Sequence, residues 1–183
     1  ENPEFLPAIK QQAFKPSATF SEATAAIDPE YRAEVAAASI NAAKKQGLIA
    51  AGFFSDTTGF ETVANSNGVF GYQTLSNLGF TVTTRTEDGR GSGWVTRSAN
   101  DARKFDAREA SEIAIEKAVK SVEAKALEPG RYTVNLEPAA TSDVLAYMFN
   151  AFDARSAEEG RSFLAKKSGG NRMGEKLFDE QVN

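Results

Sequence analysis

The chain contains neither cysteine nor histidine among its 183 residues. Without cysteine it can form no disulfide and offers no thiol nucleophile, and nothing in it argues for secretion. Without histidine as well, it cannot by itself build a conventional zinc site or a Ser-His-Asp triad. Catalysis by carboxylate, lysine or tyrosine side chains is not excluded by these absences.

Long hydrophobic runs and a basic surplus are also missing. No apolar run approaches the ~20 residues of a membrane span, and no signal peptide opens the sequence, so we expect a cytoplasmic location. The net charge of -4 and the pI near 5.1 disfavour a nucleic-acid module. With 41% hydrophobic and 25% charged residues, the composition is that of an ordinary globular protein.

The segment from Leu48 to Arg97 predicts an antiparallel sheet of about four strands. Short connections imply antiparallel pairing, because a parallel return needs a long crossover. Asn67-Gly68 predicts a tight type I′ hairpin turn with a positive φ at Gly68. The predicted strands are 48–54, 60–64, 69–86 (one or two strands, kinked near Gly71 or Gly79) and 93–97, and the predicted turns are 56–59, 67–68 and 87–91.

Two amphipathic helices flank this segment. Asp28 suits a helix N-cap, Pro29 the first helical position and Gly47 the C-terminal stop, which predicts a helix from Pro29 to Gln46. Asp106 with Glu109 resembles a capping box and opens a second helix that reaches Ala126. We expect both helices to pack on one face of the sheet, so the predicted fold class is α+β.

Glu128-Pro129-Gly130 marks a predicted domain boundary. Residues 1–27 are a lead-in segment, 28–127 a central domain and 128–183 the beginning of a second α/β domain. That second part should hold a strand at Arg131–Leu136 and a helix at Ala139–Phe152. The apolar residues after Phe152 are too few to close a core, so we expect the chain to be a fragment of a longer protein.

Two glycine-rich or basic stretches suggest phosphate binding, but each has a simpler interpretation. Gly89–Gly93 lacks a following Gly-Lys-Ser/Thr and lies between two strands, so a glycine-rich hairpin turn is favoured over a phosphate loop. Lys166–Arg172 is basic without interleaved aromatic residues, which favours a solvated loop.

A carboxylate cluster and the only tryptophan are further candidate site residues. Asp153, Glu158 and Glu159 could hold a hard cation, yet Glu158 and Glu159 are adjacent and point apart on a helix. A capping box of Ser156 and Glu159 explains these residues more simply. Trp94 is expected in the core rather than in a ligand platform.

Several motifs, in order along the chain, resemble the TldD/PmbA family. The resemblance covers roughly Asp28 to Asp179, with the first part similar to that family's middle domain and the second part similar to the opening of its C-terminal domain. The motifs are Gly47-Leu48, Ala51-Gly52, Ala64-Asn65-Ser66-Asn67-Gly68, Asp88-Gly89, Gly91-Ser92-Gly93, the helix after Asp106, Gly130–Pro138 and Gly160–Leu164.

The resemblance also implies where a metal motif would lie. The TldD branch is a zinc metallopeptidase family whose helix after the strand carries His-Glu-x-x-x-His. Aligned with that motif, Tyr147 and Phe152 take the two histidine positions and Met148 takes the glutamate position. None can replace the residue for which it stands, because a phenol is a poor zinc ligand and a thioether takes no proton from water. The chain thus resembles the metal-free PmbA (TldE) branch, for which no cofactor and no catalytic residue are expected here.

Two functional hypotheses follow. The first is a non-catalytic subunit of a cytoplasmic peptidase complex that acts in peptide degradation or maturation with a zinc-bearing TldD-type partner, or as a homo-oligomer. The family is also described as a modulator of DNA gyrase. The alternative is a stand-alone peptide- or protein-binding module that uses exposed strand edges and has no proteolytic role. Neither nucleic acid nor a membrane is expected as a partner.

Overall fold

The computed structural model describes residues 9–178, and the chain divides into two compact units between Leu127 and Glu128. Residues 1–8 of the predicted lead-in and Asp179, the end of the family resemblance, lie outside the described residues. The first unit contains α1 (Glu22–Ala25), α2 (Pro29–Lys45), β1 (Leu48–Ala64), β2 (Phe70–Thr86), β3 (Ser92–Ala99), a short 3-10 helix (Ala102–Lys104) and α3 (Ala107–Lys120). The second contains α4 (Pro138–Phe149) and α5 (Ala154–Glu158).

The sheet is antiparallel with the strand order β1-β2-β3. The register of β1 on β2 runs from Leu48 opposite Thr86 to Ala64 opposite Phe70, and β3 pairs with the second half of β2. The predicted α+β class and the antiparallel pairing are confirmed. The sheet has three strands rather than about four, because β1 is continuous through the predicted interruption at 56–59.

The predicted turn at Asp56–Gly59 is wrong, since β1 passes through it without a break. Asp56 lies opposite Leu78, and its carboxylate accepts hydrogen bonds from Arg32 of α2, Nε–Oδ1 2.7 Å and Nη2–Oδ2 3.0 Å. Arg32 precedes Asp56 by 24 residues in the sequence. Because this ion pair satisfies the carboxylate, Asp56 can remain inside a strand, and the sequence around Asp56 gives no sign of its partner. β2 likewise continues unbroken past Gly71 and Gly79.

The first hairpin does not have the predicted type I′ turn. Residues 65–69 connect the strands, and every non-glycine residue in the described chain has a negative φ, which excludes the positive φ that Asn67 would need. The Asn65 side-chain oxygen instead accepts from the backbone N–H groups of Asn67 (2.9 Å) and Val69 (3.1 Å). The predicted positive φ of Gly68 is confirmed, at 84°.

Side-chain caps start both long helices where the sequence predicted. Asp28 accepts from the Tyr31 N–H at 2.8 Å, and Asp106 accepts from the N–H groups of Arg108 and Glu109 at 2.8 and 3.1 Å. The predicted extension of the second helix to Ala126 is wrong, because α3 ends at Lys120. The hydroxyl of the next residue, Ser121, accepts from the Ser92 N–H of β3 and donates to the Ser92 carbonyl. These hydrogen bonds to the sheet compete with continuation of the helix.

α2 and α3 cover one face of the sheet, as predicted. The buried cluster joins both helices to β2 and β3, and Phe105 extends it through ring contacts with Phe80 (centroids 5.2 Å) and Phe54 (5.8 Å). Among the described residues of the first unit, no helix lies on the other face, and Trp94 on that face is 44% exposed, so the prediction of a core tryptophan is wrong. The buried cluster consists of Val35, Phe80, Val82, Val95, Ala110 and Ala114.

Residues 9–20 form no helix or strand, but they run beside β2. The Thr19 carbonyl accepts from the Ser76 N–H at 2.9 Å, and the Ile9 carbonyl accepts from the Asn65 side-chain amide at 2.8 Å. Because β3 pairs with β2 only as far as Leu78, this segment takes the position beside β2 that β3 leaves open.

In the second unit the predicted strand at Arg131–Leu136 is wrong, because these residues pair with no strand among those described. A strand is stabilised by backbone hydrogen bonds to a neighbouring strand. The alternation of apolar and polar side chains in 131–136 does not provide such a neighbour. The predicted helix is present as α4, which ends at Phe149 instead of Phe152. Ala157 is the one buried hydrophobic residue that the structure describes in this unit.

Candidate functional site

The three residues that the family resemblance predicts at the metal-motif positions lie at the end of α4 or just after it. Tyr147 and Met148 occupy its last turn, and Phe152 follows after a tight turn in which the Phe152 N–H donates to the Phe149 carbonyl at 3.0 Å. The three side chains therefore do not project from one continuous helix, as the two ligands of an intact helical motif would.

The surroundings of Tyr147 and Phe152 also differ. Tyr147 is 81% exposed and lines a shallow cavity of about 360 Å³ together with Asp143, Ala146 and Asn150. Phe152 packs edge-on against Phe149, with ring centroids 5.4 Å apart, and lies 6.3 Å from the ring of Phe163. Phe152 thus belongs to an aromatic cluster, and Tyr147 faces solvent.

The chemistry of these side chains does not fit the zinc that the family implies. A catalytic zinc takes three protein ligands from imidazole, thiolate or carboxylate groups and leaves a position for water. A phenol, a thioether and a phenyl ring supply none of these ligands. Between residues 9 and 178, no three histidine, cysteine, aspartate or glutamate side chains are grouped so that they could hold a metal ion.

The carboxylates near α5 are engaged in local contacts. Asp153 is the N-cap of α5 and accepts from the Ser156 N–H at 2.7 Å, so the predicted capping box that starts at Ser156 is wrong. Glu159 contacts Arg161 and, at 3.0 Å, Arg155, and these two guanidinium groups hold the pKa of its carboxyl below the usual range. A helix cap accounts for Asp153, and ion pairs account for Glu159.

The glycine-rich loop between β2 and β3 is a hairpin turn, as predicted. The Asp88 carboxylate accepts from the Thr86 hydroxyl (2.7 Å), the Arg90 backbone N–H (3.1 Å) and Arg90 Nε (2.7 Å), and these bonds lower its pKa to about 2. A Cβ at Gly93 would come 1.9 Å from the Ala114 carbonyl oxygen of α3. The close packing of α3 explains the glycine at position 93, and the Asp88 carboxylate occupies the donors of the turn. No bound phosphate is needed to explain this glycine-rich stretch.

The basic segment Lys166–Arg172 is an exposed loop, as expected. The Lys166 N–H donates to the Gly170 carbonyl at 2.9 Å, and its ammonium pairs with Glu175 at 2.8 Å. The ion pair with Glu175 therefore neutralises part of the positive charge of the segment Lys166–Arg172.

A groove that the sequence did not predict lies between α2 and the outer edge of β1, and it is named the β1 groove. It is lined by Val35, Ala36, Ser39 and Ile40 from α2 and by residues 50–54 of β1, with a cavity of about 120 Å³ that reaches residues 80–82 of β2. The uncharged run 48–55 is the sequence signal for the β1 groove. This run lines a groove only because β1 is an edge strand.

Across the described range, no helix combines the length and hydropathy needed to cross a membrane.

Comparison with solved structures shows the fold. A Thermotoga maritima protein named as a candidate modulator of a DNA gyrase superposes with a TM-score of 0.76 at 17% identity, covering 86% of this chain and 38% of that protein. A Bacteroides thetaiotaomicron protein with a similar name gives a TM-score of 0.71 at 22% identity and the same coverage. The chain thus spans about 38% of the length of these proteins. No curated protein matches it.

Family models agree with this fold. Residues 21–122 match the PmbA/TldA metallopeptidase central domain, and residues 129–183 match the PmbA/TldA metallopeptidase C-terminal domain. The two matches follow one another in the order that the sequence motifs suggested and together cover most of the chain. The chain therefore belongs to the TldD/PmbA family.

Proposed function

We propose that the chain is part of a PmbA (TldE)-like subunit that has no metal of its own and works in a cytoplasmic peptidase complex. Its zinc-bearing TldD-type partner would supply the chemistry of peptide degradation or maturation. One observation carries this proposal: the residues that the family resemblance aligns with the metal motif are Tyr147, Met148 and Phe152, and none of them replaces an imidazole ligand or a carboxylate base.

The surface of α4 supports a role in assembly. This helix has no buried residue, and Val144, Tyr147 and Phe149 are each more than half exposed. Exposed aromatic residues are typical of protein–protein contacts, since they bury much area with little loss of side-chain freedom. We infer that the side of α4 that carries Val144 and Tyr147, three residues apart, contacts another protein surface in the assembled complex.

The test is a peptide digest with the full-length protein alone, a TldD-type subunit alone, and the mixture. We expect cleavage of unstructured peptides from the mixture, loss of cleavage with a chelator, and none from the protein alone. Tyr147→Lys should weaken association with the partner at least tenfold, whereas Tyr147→Phe, which keeps the ring, should not. Robust chelator-insensitive cleavage by the protein alone would refute the proposal.

Metal content gives an independent test. After zinc loading and dialysis, elemental analysis should find no stoichiometric zinc in the chain. The triple variant Tyr147→His, Met148→Glu, Phe152→His should stay inactive by itself, because a catalytic zinc also needs a third protein ligand and an oriented second shell. Stoichiometric zinc in the parent chain would require a carboxylate site elsewhere.

A further inference from the structure

The outer edge of β1 lacks the usual protection of an edge strand. The sheet ends at β1, and residues 48–55 contain no proline and no charged side chain. The free N–H and C=O groups of an edge strand can pair with another chain. Natural edge strands usually prevent this pairing with a lysine, a proline, a bulge or a covering element. The first charged residue of β1, Asp56, already pairs with Arg32. This edge is therefore able to accept a further strand.

α2 forms a wall along this edge. Ala36, Ile40 and Lys44 follow one another at four-residue spacing and line the two cavities that open beside β1, of about 120 and 360 Å³. The smaller cavity is lined by Gly52 of β1 and by Val82, its partner in β2. A dry apolar cavity of ~150 Å³ can hold benzene, so this one can accept an aliphatic side chain.

A second copy of the chain fits this edge poorly. Antiparallel pairing of two β1 strands about a twofold axis would place both α2 helices on the same face of the joined sheet. Neighbouring strands are about 4.8 Å apart, whereas packed helices need about 8–10 Å between axes. Because α2 packs over β1 through the buried Val35 and Ser39, the two copies of α2 would collide. The occupant must be a strand without a helix above it.

The charges along the β1 groove define the chemistry of that strand. The Arg32–Asp56 pair closes one end, and Lys44 and Glu87 line the other, with no charged residue of β1 between them. A charge in the middle of the added strand would be desolvated without a partner, which is unfavourable. The groove is thus complementary to a strand that is neutral at its centre and charged only at its ends.

We propose that the β1 groove binds an extended peptide with an uncharged, apolar centre, which adds as a strand to residues 48–55 and places an aliphatic side chain under α2. Backbone hydrogen bonds provide affinity and the cavity selects the side chain, as in other cases of strand addition. This inference goes beyond the proposed subunit role, since binding here needs neither zinc nor a TldD-type partner.

The probe is a fluorescent decapeptide with a centre of alternating valine and threonine between lysine pairs, titrated with the 183-residue chain. We expect saturable binding with a Kd below about 1 mM. Ala36→Trp should fill the groove and weaken binding at least tenfold. Ala37→Trp, an exposed neighbour on α2 that lines no part of the groove, is the matched control and should bind as the parent does.

N-methylated peptides test strand addition itself. Methyl groups on alternate backbone nitrogens block one edge of the peptide, so one alternation should abolish binding and the other should leave it intact. The proposal is overturned by absence of binding up to about 1 mM, by equal binding of the two methylated peptides, or by equal binding of Ala36→Trp and Ala37→Trp. Self-association of the parent chain that Ala36→Trp abolishes would identify a second copy as the occupant instead.

Discussion

The two units of the chain differ in how they bury apolar side chains. The first unit encloses Phe80, Val82 and Val95 between a sheet and two helices. In the second, α4 has no buried residue, although it is apolar in composition and carries Tyr147 and Phe149. An amphipathic pattern becomes a core only when another element covers it, and the described residues supply that cover in one unit and not in the other. The stability of this chain should therefore reside in the first unit.

The strongest test of this difference compares two phenylalanines. Phe80 is 4% exposed and Phe149 is 57% exposed. Phe80→Ala should lower the free energy of unfolding by about 3–5 kcal/mol, since it removes a buried ring and leaves a cavity. Phe149→Ala should change it by less than about 0.5 kcal/mol. Urea unfolding followed by circular dichroism measures both, and equal effects would show that the second unit has a core of its own.

A pair of glycines gives a smaller effect. Gly68 in the first hairpin and Gly160 after α5 have φ values of 84° and 77°. Gly68→Val forces a β-branched side chain into the left-handed region and should cost the first unit about 1–3 kcal/mol. Gly160→Val introduces the same strain in the second unit. The sheet's unfolding transition, monitored by Trp94 fluorescence, should move with the first substitution and not with the second.

Acid sensitivity should give the smallest effect. The pKa of Asp88 is lowered to about 2 by the Thr86 hydroxyl and by Arg90, so its ionised form stabilises the folded first unit. That contribution is complete above the ordinary aspartate pKa and is lost as the pH falls through about 2. Asp88→Asn should remove this part of the acid dependence between pH 4 and 2.

Asp153→Asn is the control for the acid experiment, because its hydrogen bond to Ser156 lowers the pKa of a carboxyl in the second unit. It should leave the acid unfolding of the sheet unchanged. Carboxyl chemical shifts followed by NMR would report the Asp88 titration directly, and an ordinary aspartate midpoint would contradict the contacts with Thr86 and Arg90.

The features that the sequence predicted well depend on neighbours along the chain. Asp28 and Asp106 cap helices through residues two or three positions away, and Gly68 takes its positive φ within one turn. The failures depend on distant partners. Asp56 stays in a strand because Arg32 pairs with it, and residues 131–136 form no strand because none of the strands between residues 9 and 178 pairs with them.

The candidate sites follow the same division. The assignment of Tyr147, Met148 and Phe152 to the metal-motif positions stays a prediction from the family resemblance, and the sequence did not predict that α4 ends before Phe152. The uncharged run 48–55 did not by itself predict the β1 groove, since the groove also requires that β1 be the edge strand and that α2 lie beside it.

The connections of the sheet have a consequence for folding speed. Each hairpin closes through five residues, 65–69 and 87–91, and every strand pairs only with its neighbour along the chain. Closing such short loops costs little entropy, and sheets built from local pairs fold faster than those that join distant segments. We expect pairing to start at either turn and to spread along the long first hairpin, so the sheet can form without the closure of a long loop.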